Sequence, residues 1–199
     1  LEKMLSNEKD KNIFSDKDLF SMRKKYLDSL AQLSTSANVV TDKTPANFQY
    51  IGIILSMFPD AKIIHLKRDP RAICWSIYQS NWYENGYRFS YNMDDLVTFY
   101  GLYSRLMEFW HKKFPEKIYD VCYEDLTTNQ EEETKKLLEY CELDWDENCL
   151  NFHKNKRPVK TASSFQVRQK MYQGSSEAWK KYESHIQPLI DGLKPFLKK

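Results

Sequence analysis

A chain of 199 residues, 41% hydrophobic and 15% aromatic, can bury a sizeable core, which excludes a disordered tail and suits one domain over 1–199. Its 30 basic and 28 acidic side chains nearly cancel, so a net charge of +2 excludes a global field for gripping nucleic acid, and any anion site must be local. No apolar run approaches the roughly 20 residues that span a bilayer, and LEKMLSNEKDKN is too charged for a signal peptide, which makes a cytoplasmic setting without membrane the default.

Ser15, followed three residues later by Asp18, marks a helix start, and Leu19, Met22, Tyr26, Leu30 and Leu33 continue it at helical spacing. Val39-Val40-Thr41 is a short β-branched run that predicts a strand. Pro45 suits the first turn of a helix running from about Ala46 to Phe58. Ile63 to Leu66 predicts a buried parallel strand, after which Asp69 is placed to cap a helix that Pro70 opens. A long helical pattern covers about Asp94 to Phe114, Ile118 to Tyr123 reads as a third strand, and helices follow near Gln130 to Tyr140 and Glu177 to His185.

Strands alternating with helices predict a three-layer α/β sandwich with a central parallel sheet. In such sheets ligands bind beyond the carboxyl ends of the strands, where Asp42-Lys43, Arg68-Asp69 and Tyr123-Glu124 fall. Arg68 closes a strand and Ser76 lies in the second turn of the next helix, so a guanidinium and a hydroxyl can approach one phosphate near a helix N-terminus. The plain alternative pairs Arg68 with a surface carboxylate and leaves Ser76 as packing.

The cysteines form no CxxC pair and the histidines are scattered, so no metal site is written in the spacing, and the thiols read as reduced and near the core. His65, in an apolar strand, reads as a satisfied core histidine; His111 and His153 have no partner at useful spacing. The aromatic stretch Trp75, Tyr78, Trp82, Tyr83, Tyr87, Phe89, Tyr91 offers either an acceptor groove or helix packing followed by a surface loop.

Four ordered blocks, TDKTP, FPDAKIIHLKRDPRAICWS, VCYEDL and VKTASSFQVRQKMYQGSSEAWKKYE, together resemble the sulfotransferase superfamily. The likeness is nearest to bacterial sulfotransferases that often carry tetratricopeptide repeats, and through them to tyrosylprotein sulfotransferases. It implies a P-loop NTPase-like fold and transfer of a sulfuryl group from 3′-phosphoadenosine 5′-phosphosulfate (PAPS) to a hydroxyl or phenol, leaving 3′-phosphoadenosine 5′-phosphate (PAP). The acceptor is a protein tyrosine, a carbohydrate or a small molecule.

By the same resemblance Arg68 and Ser76 bind the 3′-phosphate, Tyr123 contacts the cofactor, and a late loop from Ser163 to Tyr172 wraps the nucleotide with Ser163, Ser164, Gln166, Arg168 and Lys170. Lys43 and Ser163 match residues that stabilise charge on the leaving phosphate. A solvated basic loop is the plain reading of Arg168 and Lys170, and a turn residue that of Lys43.

Sulfotransferases normally begin with a strand and a loop resembling Pro-Arg-Ser-Gly-Thr-Thr that cradles the phosphosulfate, and nothing like it occurs in this sequence. The expectation is a fold lacking its first strand and loop, with that piece, and the acidic general base soon after it, ahead of Leu1. Two other functions fit the pattern: a P-loop nucleotide kinase, against which the absent GxxxxGK[ST] counts, and a non-catalytic nucleotide-binding or scaffold relative.

Overall fold

The computed structural model describes residues 14–33, 38–80, 87–156 and 165–197. The chain divides into two compact units, 1–61 and 62–199, and each is taken by itself.

In the first unit, helix α1 (Asp16–Leu33) starts as its sequence dictates. The Ser15 N–H donates to Asp18 Oδ2 at 3.0 Å while the Asp18 N–H donates to Ser15 Oγ at 3.2 Å, a reciprocal box that satisfies two otherwise orphaned donors. A 3₁₀ turn over Pro45–Tyr50 leads into α2 (Ile51–Met57), which buries Ile51 and Leu55. Tyr26 of α1 stacks obliquely on Phe58, with ring centroids 5.4 Å apart, and its hydroxyl donates to Asp42 Oδ2 at 3.0 Å. That bond and a second from Asn47 Nδ2 at 3.1 Å pin the Asp42 turn.

Val39-Val40-Thr41 corrects the sequence reading, because these residues form no strand. Val39 and Val40 are 56% and 50% exposed. β propensity reflects packing on a pleated surface, and two exposed valines have no such surface to fit.

In the second unit, β1 (Ile63–Lys67) and β2 (Ile118–Cys122) pair in parallel, Ile63 opposite Ile118 and Lys67 opposite Cys122. The described sheet therefore has two strands where three were expected, within a mixed α/β fold with a parallel sheet. Parallel neighbours need a crossover, supplied here by α3 (Pro70–Tyr78) and α4 (Met93–Lys113). Asn92 caps α4 through its side-chain oxygen, accepting from the N–H groups of Asp94 and Asp95.

Beyond β2 the chain turns at once into α5 (Tyr123–Thr128), a helix the sequence pattern did not announce, and then α6 (Gln130–Tyr140). Tyr140 closes α6 onto the sheet, donating to the Lys117 carbonyl at 2.8 Å while its ring stacks on Tyr119. A 3₁₀ segment over Ser175–His185 and helix α7 (Gln187–Leu193) complete the unit.

The core lies where α3, α4, the Ser175–His185 segment and α7 meet, around Cys74, Trp75, Leu96, Trp179, Ile186, Leu189 and Leu193. Gly192 lets α7 approach α4 closely, since a Cβ there would come within 2.8 Å of a Val97 methyl. Cys74 is the buried thiol of this core; burial pushes its pKa up to about 12, so it is inert at neutral pH. No helix of the described residues is long and apolar enough to cross a membrane.

Candidate functional site

The turn after β1 is built by Asp69. Its carboxylate accepts from the N–H groups of Arg71 (2.8 Å) and Ala72 (3.3 Å), capping α3, and pairs with the Arg71 guanidinium at 2.6 Å. Burial alone would raise the Asp69 pKa, but the Arg71 side chain, its backbone N–H and its charge hold it below the usual aspartate value. The Asp69 N–H in turn donates to Glu124 Oε1 at 3.1 Å, which ties the end of β1 to the start of α5. Strand-to-helix corners from both strands are thereby locked together.

Arg68 occupies this junction, partly buried. Its Nε donates to Ser176 Oγ at 3.0 Å, and its guanidinium lies 4.6 Å from the centroid of the Tyr123 ring. The Tyr123 hydroxyl bonds Ser175 Oγ at 3.1 Å. Among the described residues no carboxylate pairs with Arg68: Arg71 holds Asp69, and Glu124 accepts from the Asp69 N–H and from Ser176. Among the described residues, then, the surface ion pair that is the plain reading of Arg68 does not form.

Beside the junction a cleft of about 480 Å³ is lined by Tyr123, Glu124, Thr127, Gly174, Ser175 and Ser176, among others. Gly174 takes φ 88°, the left-handed region, and so turns the chain to present both serines. Sequence reasoning missed Ser175 and Ser176. The signal was present in the Gly-Ser-Ser step, a turn residue followed by two hydroxyls.

The structure thus brings Arg68 and Tyr123 together. Ser76 lies exposed in the second turn of α3, where its carbonyl accepts from the Ser80 hydroxyl at 2.7 Å. Gln166 and Arg168 sit exposed in a 3₁₀ turn, with Lys170 exposed just beyond it. Ser163 and Ser164 lie outside the described residues. Lys43 belongs to the first unit and is exposed.

Of the aromatic stretch, Trp75 and Tyr78 pack in or against the core and Phe89 stacks on Phe99 with centroids 3.9 Å apart, as the packing alternative expected. Tyr91 stays 55% exposed, while Trp82 and Tyr83 fall outside the described residues.

One reading of the histidines is corrected. His65 is satisfied, by Asp120 at 2.8 Å through Nδ1 and by Tyr103 through Nε2. His111 also has a partner, Asp120 Oδ1 at 3.1 Å from its Nε2. The turn at Phe114–Lys117, with Glu116 at φ 65°, folds β2 back along α4 and closes a gap that spacing in the sequence conceals.

Three comparisons bear on this fold. The chain is 41% identical over 188 residues to an uncharacterized protein of Aquifex aeolicus (strain VF5), a match covering 94% of this chain and 25% of that protein. It therefore spans about a quarter of the length of the curated relative it matches. The fold is similar to that of a solved sulfotransferase domain from the curacin biosynthetic pathway, with a TM-score of 0.60 at 15% identity, covering 88% of this chain and 67% of that one. Residues 3–147, which take in both strands and the Arg68 corner, match the profile of the Sulfotransferase family, and the chain belongs to that family.

Proposed function

We propose that the protein transfers a sulfuryl group from PAPS to a hydroxyl or phenol, and that the corner after β1 receives the nucleotide's 3′-phosphate. The observation that carries this reading is Arg68, a partly buried guanidinium met by a hydroxyl and an aromatic face but by no described carboxylate. A charge withdrawn from water is stabilised only by a partner, and a phosphate at the adjacent cleft is the partner this chemistry accepts. Ser176 fixes Nε and the Tyr123 ring fixes the plane, so the fork is oriented before the ligand arrives. Glu124 and Glu177 line the same cleft, and the bonds of Glu124 to Ser176 and the Asp69 N–H, with the pairing of Glu177 to Lys180, offset part of their repulsion.

Ser76, on the first turns of α3, would add its hydroxyl to the same phosphate, and Gln166, Arg168 and Lys170 would close over the nucleotide with Ser163 and Ser164. Sulfuryl transfer breaks the bond between sulfur and the oxygen bridging to the 5′-phosphate and forms one to the acceptor oxygen. The leaving phosphate keeps the electron pair, and the acceptor loses its proton to a base. Lys43 and Ser163 would stabilise the charge that gathers on the bridging oxygen.

Binding of PAP, adenosine 5′-phosphate and ATP, measured by calorimetry, tests the reading. PAP is expected to bind at least about tenfold more tightly than either of the others. Arg68→Ala should cut PAP affinity about 10- to 150-fold, the loss of one charge-assisted contact. Equal affinity for ATP would overturn the assignment in favour of a kinase-like site.

A further inference from the structure

We propose that His65, His111 and Asp120 form a binding site for one divalent transition-metal ion of zinc-like chemistry, joining β1, β2 and the last turn of α4. Three elements contribute one ligand each. His65 and Asp120 are direct register partners across the parallel pair, and His111 comes from the end of α4. One candidate ligand atom from each of the three residues lies within 4.8 Å of those of the other two, and Asp120 Oδ1 faces both Nδ1 of His65 and Nε2 of His111. Two of the three separations are already 2.8 and 3.1 Å. Ligands about 2.0–2.1 Å from a tetrahedral ion stand about 3.3 Å apart, so side-chain shifts of about 1 Å complete the set.

The donor chemistry fits as well as the spacing. Two imidazole nitrogens and one carboxylate oxygen suit zinc, cobalt, nickel or iron rather than calcium or magnesium. Without an ion, Asp120 Oδ1 sits within bonding distance of both rings, and one cation can take the place of the protons held there. His65 has the support a ligand needs on its far side, because Nε2 meets the Tyr103 hydroxyl. A phenol both donates and accepts, so it serves His65 in either tautomer, including the one that frees Nδ1 for a metal. Burial also favours the neutral imidazole that binds metal, holding the His65 pKa below its usual value.

One group works against the ion. Lys67 reaches Asp120 Oδ2 at 3.0 Å and places a positive charge beside the site. It occupies the second oxygen, not the one shared by the rings, and its side chain is 39% exposed and free to extend into water.

Titration of the chelator-treated protein with cobalt(II) tests the proposal, followed by visible absorption, with thermal unfolding recorded in parallel. The expected result is one ion per chain, a visible band characteristic of nitrogen and oxygen ligands, displacement by zinc, and a raised unfolding temperature. His111→Gln, a partly exposed change whose fold is checked by circular dichroism, should weaken binding at least tenfold. Tyr103→Phe should weaken it about tenfold through the lost support of His65. Lys67→Met should strengthen it. Absence of the visible band, an unchanged affinity in His111→Gln, or a near-ultraviolet band showing that cysteine thiolates hold the ion would each overturn the site.

Discussion

Two polar clusters hang from the same pair of strands, and they resolve their charges in opposite ways. Midway along the sheet, Asp120 meets His65, His111 and Lys67, so the carboxylate is answered from three directions by this chain alone. Just past the strand ends, Arg68 meets a serine hydroxyl and a tyrosine ring, while the nearest carboxylates are committed to Arg71, Ser176 and the Asp69 N–H. A cluster balanced internally contributes to stability as it stands. One that leaves a partly buried guanidinium without a counter-charge gains most from an outside anion. The difference separates a carboxylate already answered within the chain, which an ion can enter only by exchange for the protons it shares, from an arginine whose counter-charge has still to arrive.

Arg68→Ala is the sharpest way to break that contrast. It should cost about 1.5–3 kcal/mol in PAP binding yet only about 1 kcal/mol or less in unfolding stability, since the bond to Ser176 and the Tyr123 ring contact are lost but no described ion pair is. A matching loss of stability, seen in urea unfolding, would mean that Arg68 belongs to the structural class.

Asp69→Ala should behave in the reverse sense. It removes the cap of α3 and the partner of Arg71, costing about 1–2 kcal/mol of stability, whereas Asp69→Asn should retain most of the cap. Asp120→Asn, measured with chelator present, should cost about 1 kcal/mol because Lys67 and His111 are more than a third exposed and screened while an amide can still bond the more buried His65, and it should leave PAP affinity unchanged. A fall in PAP affinity there would join the two clusters into one site.

The strand-to-helix corner was legible in the sequence because its signals are local: an apolar run, then Arg68, then Asp69 as cap and Pro70 in the first turn, all within one short stretch. The capping box at Ser15 and Asp18 was legible for the same reason. Val39-Val40 misled because propensity carries no information about whether a neighbouring strand exists. Ser176 and His111 were missed because each acquires its partner through the fold, Arg68 lying 108 positions from Ser176 and Asp120 meeting His111 only across a left-handed turn.

The smallest expected effect is in pH, and it separates the corner's own carboxylates from its arginine. Burial raises the Glu124 pKa, but bonds from Ser176 and the Asp69 N–H bring it below the ordinary 4.5, and Asp69 is likewise held below 3.8 by Arg71. Both acids are thus depressed in the folded state, which binds fewer protons than the unfolded chain in the window just below those values. Their contribution to stability is complete above about pH 5 and is lost as pH falls through the folded pKa values. Urea midpoints taken from about pH 6 down to about pH 3 should therefore decline, and Glu124→Gln should flatten part of that decline while Arg68→Ala leaves it in place. Asp120 is depressed too and keeps part of the limb, so a limb in the double variant Asp69→Asn, Glu124→Gln as steep as in the native chain would show that the two corner carboxylates add nothing to it. The locked junction that orients the Arg68 fork would then have to be set by ligand binding instead.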